Sequence, residues 1–216
     1  QFKLEGQIVE RHPEWEMSDR NILKMIDYSN GTIELDGKSH KLQDTHFPTI
    51  DPLDPNKLSA EEAHCMQRLV ESFVSSSRLW EHMKWVVERG SMAEVRDRAA
   101  IFHACLSLDD NGNYLPLKID GEEKRGPEQF AAFNKVIKRA FRKGSLAQQQ
   151  DKDWLYYLWA GPKSPLFGKD KMATFETYFI GDKAAHKETR NPWFSFLHDE
   201  EFCEKACRDR GVEDGG

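Results

Sequence analysis

The sequence lacks the features that place a chain in or across a membrane. No apolar run approaches the roughly 20 residues that a membrane-spanning helix needs, and no secretory signal opens the chain. It also lacks a basic excess, because 31 lysines and arginines stand against 37 aspartates and glutamates, a formal net charge of −6. This balance does not favour binding to nucleic acid or to anionic membranes. The chain begins at Gln1 without an initiator methionine, which predicts that it is processed or cut from a longer protein.

Cysteine is scarce, and no two cysteines form a C-x-x-C pair. Cys65, Cys105, Cys203 and Cys207 fit a reducing compartment better than a disulfide scaffold, so we expect a cytoplasmic protein with buried free thiols. Cys203 and Cys207 lie four positions apart, just after His198, which leaves a zinc site as an alternative. That site needs a further ligand from elsewhere in the chain.

What the sequence does contain begins with a β-meander over residues 25–42. The dipeptides Asn30-Gly31 and Asp36-Gly37 tolerate the positive φ of tight hairpin turns. Residues 32–35 between them alternate polar and apolar, as an antiparallel strand does. The three prolines of residues 46–57 then predict an irregular surface strap.

Helical periodicity covers much of the remaining chain. Ser59 and Glu62 form an S-x-x-E capping box, which opens a pair of helices that ends at Gly90. Helices are predicted at residues 18–26, 59–75, 78–89, 127–143, 171–180 and 199–210, with a helix or strand at 153–161. The faces of the helical pair that are predicted to lie in a core comprise Ala63, Met66, Val70, Phe73, Val74, Trp80, Met83 and Val87.

The helix at residues 127–143 has one apolar face and a basic remainder. Proline at position 127 suits a first helical turn, and Phe130, Phe133, Ile137 and Phe141 make the predicted buried face. The basic residues are Lys135, Lys138, Arg139, Arg142 and Lys143. A basic helix can bind phosphate or nucleic acid, but a solvated face with cations near the helix C-terminus is the favoured interpretation.

These elements predict a chain of mixed class in three segments. Residues 1–58 hold the meander and the strap, residues 59–98 the helical hairpin, and residues 99–216 a strand, helices and polar loops. As an isolated piece the chain is predicted to be α+β, with α/β character in its second half.

One histidine stands out in the stretch AIFHACLSLDDNGNYLPL, residues 100–117. An apolar run reads as a buried strand and ends at His103, after which an acidic turn follows. A histidine at a strand end either packs in the core or holds a metal ion, since a strand fixes its imidazole rigidly. The residues alone leave both interpretations open.

The chain as a whole resembles class III fructose-1,6-bisphosphatases, bacterial enzymes with a calcineurin-like metallophosphatase core. The resemblance rests on IDYSNGTIELDGKSHKL, IFHACLSLDDNGN, LYYLWAGPKSPLFGKDKMATFETYFI and HKETRNPWF, and it extends from Phe2 to about Gly211. It implies a part of the family's α/β sandwich. The family usually has glycine after the metal-binding histidine, where this chain has Ala104.

The resemblance implies a metal-dependent phosphatase of gluconeogenesis. The complete enzyme would bind two divalent ions, Mn²⁺ being the expected metal, and use activated water to release the 1-phosphate of fructose 1,6-bisphosphate. His103 is the metal ligand that this chain would supply. The family's G-D-x-x-D-R-G, G-N-H-D and G-H-T-P motifs do not occur in it. We therefore expect the isolated segment to be inactive and the other ligands to come from the remaining segments of the parent enzyme.

A sugar bisphosphate calls for cationic side chains and loop N–H donors. The candidate substrate-binding residues are Lys163 and Lys169 of the PKSPLFGK loop, then His186, Lys187 and Arg190. The alternative for these residues is a role in turns and caps. The expected partners are fructose 1,6-bisphosphate and a second copy of the chain, without nucleic acid or membrane. The alternative function is a stand-alone α+β interaction module in which His103 is merely packed.

Overall fold

The computed structural model describes residues 1–141 and 149–212. Each of its two compact units is assembled from two separate stretches of chain. The first unit comprises Gln1–Trp80 and Lys171–Glu188, and the second comprises Glu81–Asp170 and Thr189–Gly216. The division predicted from the sequence follows chain order instead, and it stays a prediction.

Helices and short antiparallel strands make up the described residues. The α-helices are α1 (Phe2–Arg11), α2 (Ala60–Ser75), α3 (Ser77–Arg89), α4 (Pro127–Ala140), α5 (Gln149–Ala160), α6 (Thr174–Phe179), α7 (Trp193–Phe196) and α8 (Glu200–Asp209). The strands are β1 (Ile26–Asp27), β2 (Thr32–Leu35), β3 (Lys38–Lys41), β4 (Ala93–Arg96), β5 (Ala99–Phe102), β6 (Leu117–Ile119) and β7 (Glu122–Lys124). None of the described helices is long and apolar enough to span a membrane.

All strand pairs in the described part of the chain are antiparallel. β1, β2 and β3 form one sheet in chain order, while β4 with β5 and β6 with β7 form two hairpins. This is the α+β class that the sequence predicts for the isolated segment. The α/β character predicted for the second half does not appear among the described strands, since that class requires parallel pairs.

The predicted meander is confirmed, and it carries the core of the first unit. Asp36 and Gly37 have φ of 50° and 72°, the conformation of a two-residue hairpin turn between β2 and β3. The alternation in β2 turns Ile33 and Leu35 inward, where they are 1% and 6% exposed. They belong to one apolar cluster with Phe175 of α6.

The segment before the meander is not the predicted α-helix. Two 3₁₀ turns, Ser18–Arg20 and Ile22–Met25, replace it, and Asn21 between them has non-helical dihedral angles. Ser18 makes no side-chain cap to this segment, because it is the first residue of a 3₁₀ turn. The short turns suffice to bury Ile22 and Leu23.

The helical pair begins as predicted but is not buried. Ser59 Oγ accepts a hydrogen bond from the Glu62 amide at 3.2 Å, and Glu62 Oε2 accepts one from the Ser59 amide at 2.7 Å, which confirms the capping box. The prediction that the apolar face of α2 lies in a core is wrong. No residue of α2 is buried, and Val70, Phe73 and Val74 are 55%, 63% and 64% exposed.

The second helix of this pair, α3, is only partly covered. Its predicted inner residues Trp80, Met83 and Val87 are half-buried, whereas Trp85 and Val86 are exposed. The periodicity therefore identified the more protected face of α3 correctly. It overstated how far that face is buried.

In the second unit, α4 and α5 pack around aromatic rings. Pro127 opens α4 as predicted, and Phe130 and Phe133 are fully buried. The third buried apolar residue of α4 is Val136, with Ile137 only half-buried. The Phe133 ring lies 5.6 Å from the ring of Trp154 in α5.

The predicted range of the basic helix, residues 127–143, extends beyond the described residues. Of the predicted basic helix, Arg142, Lys143 and the terminating Gly144 lie outside the described residues. The helix predicted at residues 199–210 is present as α8, and Asp199 caps it, since its Oδ1 accepts a hydrogen bond from the Phe202 amide at 3.0 Å.

Candidate functional site

His103 lies directly after the last residue of β5, as predicted. Strand β5 pairs with β4 so that Ala93 stands opposite Phe102 and Ala99 opposite Arg96. The strand itself is not the buried one expected from its sequence, because Ile101 is 54% exposed. Exposure alternates along β5, so Ile101 and the following His103 lie on the exposed face of this hairpin.

The imidazole of His103 has no internal partner in the part of the chain that the structure describes. Within the described residues it makes no hydrogen bond, ion pair or ring contact. A packed histidine normally satisfies its ring nitrogens inside the protein. The ring nitrogens of His103 are therefore available to a ligand outside the described residues.

A sharp backbone turn follows His103. Ala104 has φ of 55°, the left-handed region that glycine adopts without a steric penalty. The turn directs the chain into the buried run from Cys105 to Leu108, where the Cys105 amide donates to the carbonyl of Pro165 at 3.2 Å. This conformation gives a physical reason for the glycine that the resembling family has at this position.

The acidic turn after Leu108 is held together by hydrogen bonds to one of its own carboxylates. Asp109 Oδ1 accepts hydrogen bonds from the amides of Asn111 and Asn113, at 2.9 and 2.8 Å, and these bonds help to lower the pKa of the carboxyl. Gly112 has φ of 79° at the tip. Leu108 and Tyr114 pair as an isolated antiparallel bridge across this turn, so the predicted acidic turn is present. The Asp109 carboxylate is therefore engaged in hydrogen bonds within the turn.

Asn191 holds the run after His103 in place, a role that the sequence analysis missed. Its Oδ1 accepts hydrogen bonds from the amides of Leu108 and Trp193, at 3.2 and 3.0 Å, and its Nδ2 donates to the Leu108 carbonyl at 3.3 Å. Asn191 is 9% exposed, so these bonds form away from water. The Asn-Pro dipeptide was the only sequence signal for this buried polar anchor.

His103 lines a cavity of about 480 Å³ in the second unit. One side of the cavity is apolar, with Ile101 and Phe102 of β5 among its residues. Its polar and charged lining consists of Ser91, Glu94, His103, Asn134 and Lys138. The volume is within the range of small-molecule sites.

The described residues supply one donor at this place rather than a complete metal site. No group of three or more His, Cys, Asp or Glu side chains converges anywhere in the described part of the chain. Cys203 and Cys207 likewise have no third donor there. The Cys203 thiol contacts the carbonyls of Phe196 and Leu197 at 3.8 and 3.7 Å, as a packed thiol does.

The four cysteines are free, but they are not all buried. Cys105 is fully buried, and burial raises the pKa of its thiol to about 12. Cys203 is half-buried, and Cys65 and Cys207 are exposed. The expectation of buried thiols is therefore wrong for the last two.

The PKSPLFGK loop is a tight turn built on Ser164. This serine is buried, donates from Oγ to the Leu158 carbonyl at 2.6 Å and accepts from the Leu166 amide at 3.1 Å. Lys163 and Lys169, the predicted substrate residues of this loop, are both half-buried.

The structure brings some of the candidate cations together. Lys169 and Arg190 pair as an antiparallel bridge, and the Arg190 guanidinium lies 5.6 Å from the ring centre of Phe194. His186 and Lys187 belong to the first unit, where His186 Nε2 forms a hydrogen bond with the Ile180 carbonyl at 2.8 Å. The role of all these residues toward a substrate stays a prediction.

Comparison with known proteins assigns the chain to a family of sugar-phosphate phosphatases. Residues 1–215 match the family described as Firmicute fructose-1,6-bisphosphatase, and the chain belongs to that family. The resemblance seen in the sequence is thereby confirmed. No solved structure matches the chain.

Several curated relatives carry the name fructose-1,6-bisphosphatase class 3. The protein from Ligilactobacillus salivarius is 41% identical over 211 residues, which is 98% of this chain and 33% of the relative. The protein from Clostridium botulinum is 42% identical over 215 residues, 99% of this chain and 33% of the relative. The protein from Fusobacterium nucleatum is 40% identical over 214 residues, with 98% and 33% covered. The chain thus spans about a third of the length of the curated relatives that it matches.

Proposed function

We propose that this chain is part of a metal-dependent phosphatase that hydrolyses fructose 1,6-bisphosphate to fructose 6-phosphate and phosphate. The observation that carries the proposal is an exposed, unpartnered His103 at the end of β5, in a chain that belongs to the Firmicute fructose-1,6-bisphosphatase family. The alternative function, an interaction module with a packed His103, is not favoured by that exposure.

His103 would hold one of two divalent ions, with Mn²⁺ as the expected metal. A bound ion of this kind stabilises charge on the phosphoryl group and activates water for its attack. His103 contributes by being fixed: β5 ends beside it and the left-handed Ala104 turns the backbone away. The backbone of His103 is therefore held in position, and its exposed imidazole is accessible to a ligand.

The candidate cations would bind the phosphates of the substrate. Lys163, Lys169 and Arg190 are placed by the Ser164 turn and the bridge that follows it. Each positive charge near a phosphate oxygen favours binding through a charge-assisted hydrogen bond. His186 and Lys187 remain candidates of the same kind in the first unit.

The proposal is tested by phosphate release from fructose 1,6-bisphosphate. The full-length parent should release phosphate in the presence of Mn²⁺ and stop when a chelator removes the ion. The 216-residue chain alone should release none under either condition, since it offers one of the required donors. Metal-independent turnover by the parent, or robust turnover by the segment, would contradict the proposal.

A His103→Ala variant of the parent separates a ligand from a packing residue. Loss of a ligand should lower turnover by about 100-fold or more, with little change in melting temperature, because an exposed side chain makes few packing contacts. A packing residue gives the reverse result, a lower melting temperature with turnover nearly intact. Both quantities should be measured on the same preparation.

A further inference from the structure

The cations of α4 differ in what surrounds them. Arg139 is fully engaged, since its guanidinium donates to Asp120 at 2.7 Å and to Asp151 at 2.8 Å. These two carboxylates neutralise it and fasten α4 to the β6–β7 turn and to α5. Arg139 thus has a structural role, which neither the ligand-binding nor the solvated-face interpretation of this helix predicted.

Lys135 also has an acidic neighbour. The pKa of Glu122 is lowered first by a hydrogen bond from Lys124, and the charge of Lys135 adds to that lowering. Lys138 is different: no carboxylate of the described residues pairs with it. It lines the same cavity as His103, one turn beyond Lys135.

The wall that carries Lys138 is fixed relative to β5. Asn134 Oδ1 accepts a hydrogen bond from the Met92 amide at 2.9 Å, and its Nδ2 donates to Ser91 Oγ at 3.1 Å. The rings of Phe102 and Phe130 lie 5.6 Å apart, which packs the residue before His103 against α4. His103 and Lys138 are thus held on two elements that contact each other.

Lys138 is an exposed residue, and the lining of the cavity contains little negative charge to pair with it. The single carboxylate among the described lining residues is Glu94, whose Oε1 lies 3.8 Å from Nε of Arg96. A cation that has no carboxylate partner among the described residues, in a cavity that His103 also lines, is suited to an anionic group of a bound molecule.

Lys138 is also separated from the point where α4 contacts β5. Eight residues, or about 12 Å of helix axis, lie between Phe130 and Lys138. His103 and Lys138 line the cavity from two different elements, the end of β5 and α4. A molecule with two anionic groups, one at each end, would contact both residues.

We propose that Lys138 binds the phosphate of fructose 1,6-bisphosphate that is not cleaved, the 6-phosphate, in the cavity shared with His103. The inference rests on the proposed function, because that function supplies the bisphosphate and places the 1-phosphate at His103. It makes Lys138 a specificity-determining residue, since a sugar with one phosphate would lack its second anchor.

The test is Lys138→Met in the full-length parent, with Lys135→Met as the matched control on the same helix. For fructose 1,6-bisphosphate, Lys138→Met should raise KM about 10-fold or more and change kcat by less than about threefold, the pattern of a lost binding contact. Lys138→Arg should restore most of the affinity, because it keeps the charge. Lys135→Met should leave both constants within about twofold.

Equilibrium binding without added metal provides an independent measurement. Lys138→Met should weaken binding of fructose 6-phosphate about 10-fold and leave binding of fructose 1-phosphate unchanged. An equal loss for both sugars, no loss for either, or no binding of fructose 6-phosphate by the unmodified parent would overturn the assignment of Lys138. A parent that binds fructose 6-phosphate through Lys138 but releases no phosphate from the bisphosphate would refute the proposed function alone.

Discussion

Two amphipathic segments of the first unit, β2 and α2, have opposite surroundings. Both show clear apolar periodicity in the sequence, yet Ile33 of β2 is 1% exposed and Phe73 of α2 is 63% exposed. The inner face of β2 is covered by Phe175 in the stretch that returns to this unit. No described element covers α2 in this way. Periodicity thus predicts which face of an element is apolar, and tertiary partners decide whether that face is buried.

Only the beginning of α2 is fastened. Glu62 Oε2 lies 2.8 Å from Lys3 Nζ, and Glu62 Oε1 accepts a hydrogen bond from Thr49 Oγ1 at 2.7 Å. Cys65 and Met66 line a cavity of about 340 Å³ next to α1. Beyond this point α2 relies on its own backbone hydrogen bonds, so its far end should contribute little to stability.

The largest expected effect on stability is that of a substitution in β2, the buried one of the two segments. Ile33→Ala in the 216-residue chain removes three side-chain carbon atoms from the cluster around β2 and should lower the free energy of unfolding by about 2–5 kcal/mol. Urea denaturation of the two proteins measures this difference. A loss below about 1 kcal/mol would mean that the cluster is not the core of this unit.

A second effect should be found at the buried run after His103. Asn191→Ala leaves the amide and carbonyl of Leu108 without their side-chain partner, which should lower the free energy of unfolding by about 1–3 kcal/mol. Asn113→Ala in the exposed turn is the control, since its side chain bonds Asp109 in solvent. Equal losses for the two variants would contradict the role assigned to Asn191.

Local signals explain what could be predicted from the sequence. The Asp36-Gly37 turn, the Ser59 capping box, the Pro127 helix start and the position of His103 each depend on a few neighbouring residues, and all are confirmed. The Asp120-Gly121 turn of β6–β7 has the same signal as Asp36-Gly37. It could have been found by the same rule.

The features that were missed depend on distant residues or on unusual backbone. In the β4–β5 turn, Asp97 and Arg98 have φ of 50° and 64°. The turn contains no glycine, so the sequence signal that predicts a hairpin is missing there. Arg139 meets carboxylates 19 and 12 positions away, and Asn191 meets Leu108 across 83 positions. No local pattern in one sequence encodes such pairings.

A smaller effect is expected at the fastened end of α2. Hydrogen bonds from Lys3 and then Thr49 lower the pKa of Glu62 to about 2 from an ordinary value of 4.5. Because the pKa is lower in the folded state, the stability that Glu62 contributes is complete above pH 4.5 and is lost as the pH falls toward 2.

Urea unfolding of the chain and of Glu62→Gln at several pH values measures this contribution. The unmodified chain should be the more stable protein at pH 6, by roughly 1 kcal/mol for the lost charge that accepts the hydrogen bonds of Lys3 and Thr49, and the gap should shrink between pH 4.5 and pH 2.5. A gap that stays constant with pH would show that the carboxylate charge is not what stabilises this end of α2.

The smallest effect is expected at the exposed end of α2, where a substitution tests directly whether the apolar face of this helix is uncovered in solution. Phe73→Ala removes a side chain that is 63% exposed and introduces a residue with a higher helix propensity. The free energy of unfolding of the 216-residue chain should therefore change by less than about 0.5 kcal/mol, and toward greater stability. Val70→Ala, on the same face and 55% exposed, should behave in the same way. A loss above about 1 kcal/mol would mean that this face is covered in solution, and a loss that grows with protein concentration would identify a second copy of the chain as its cover.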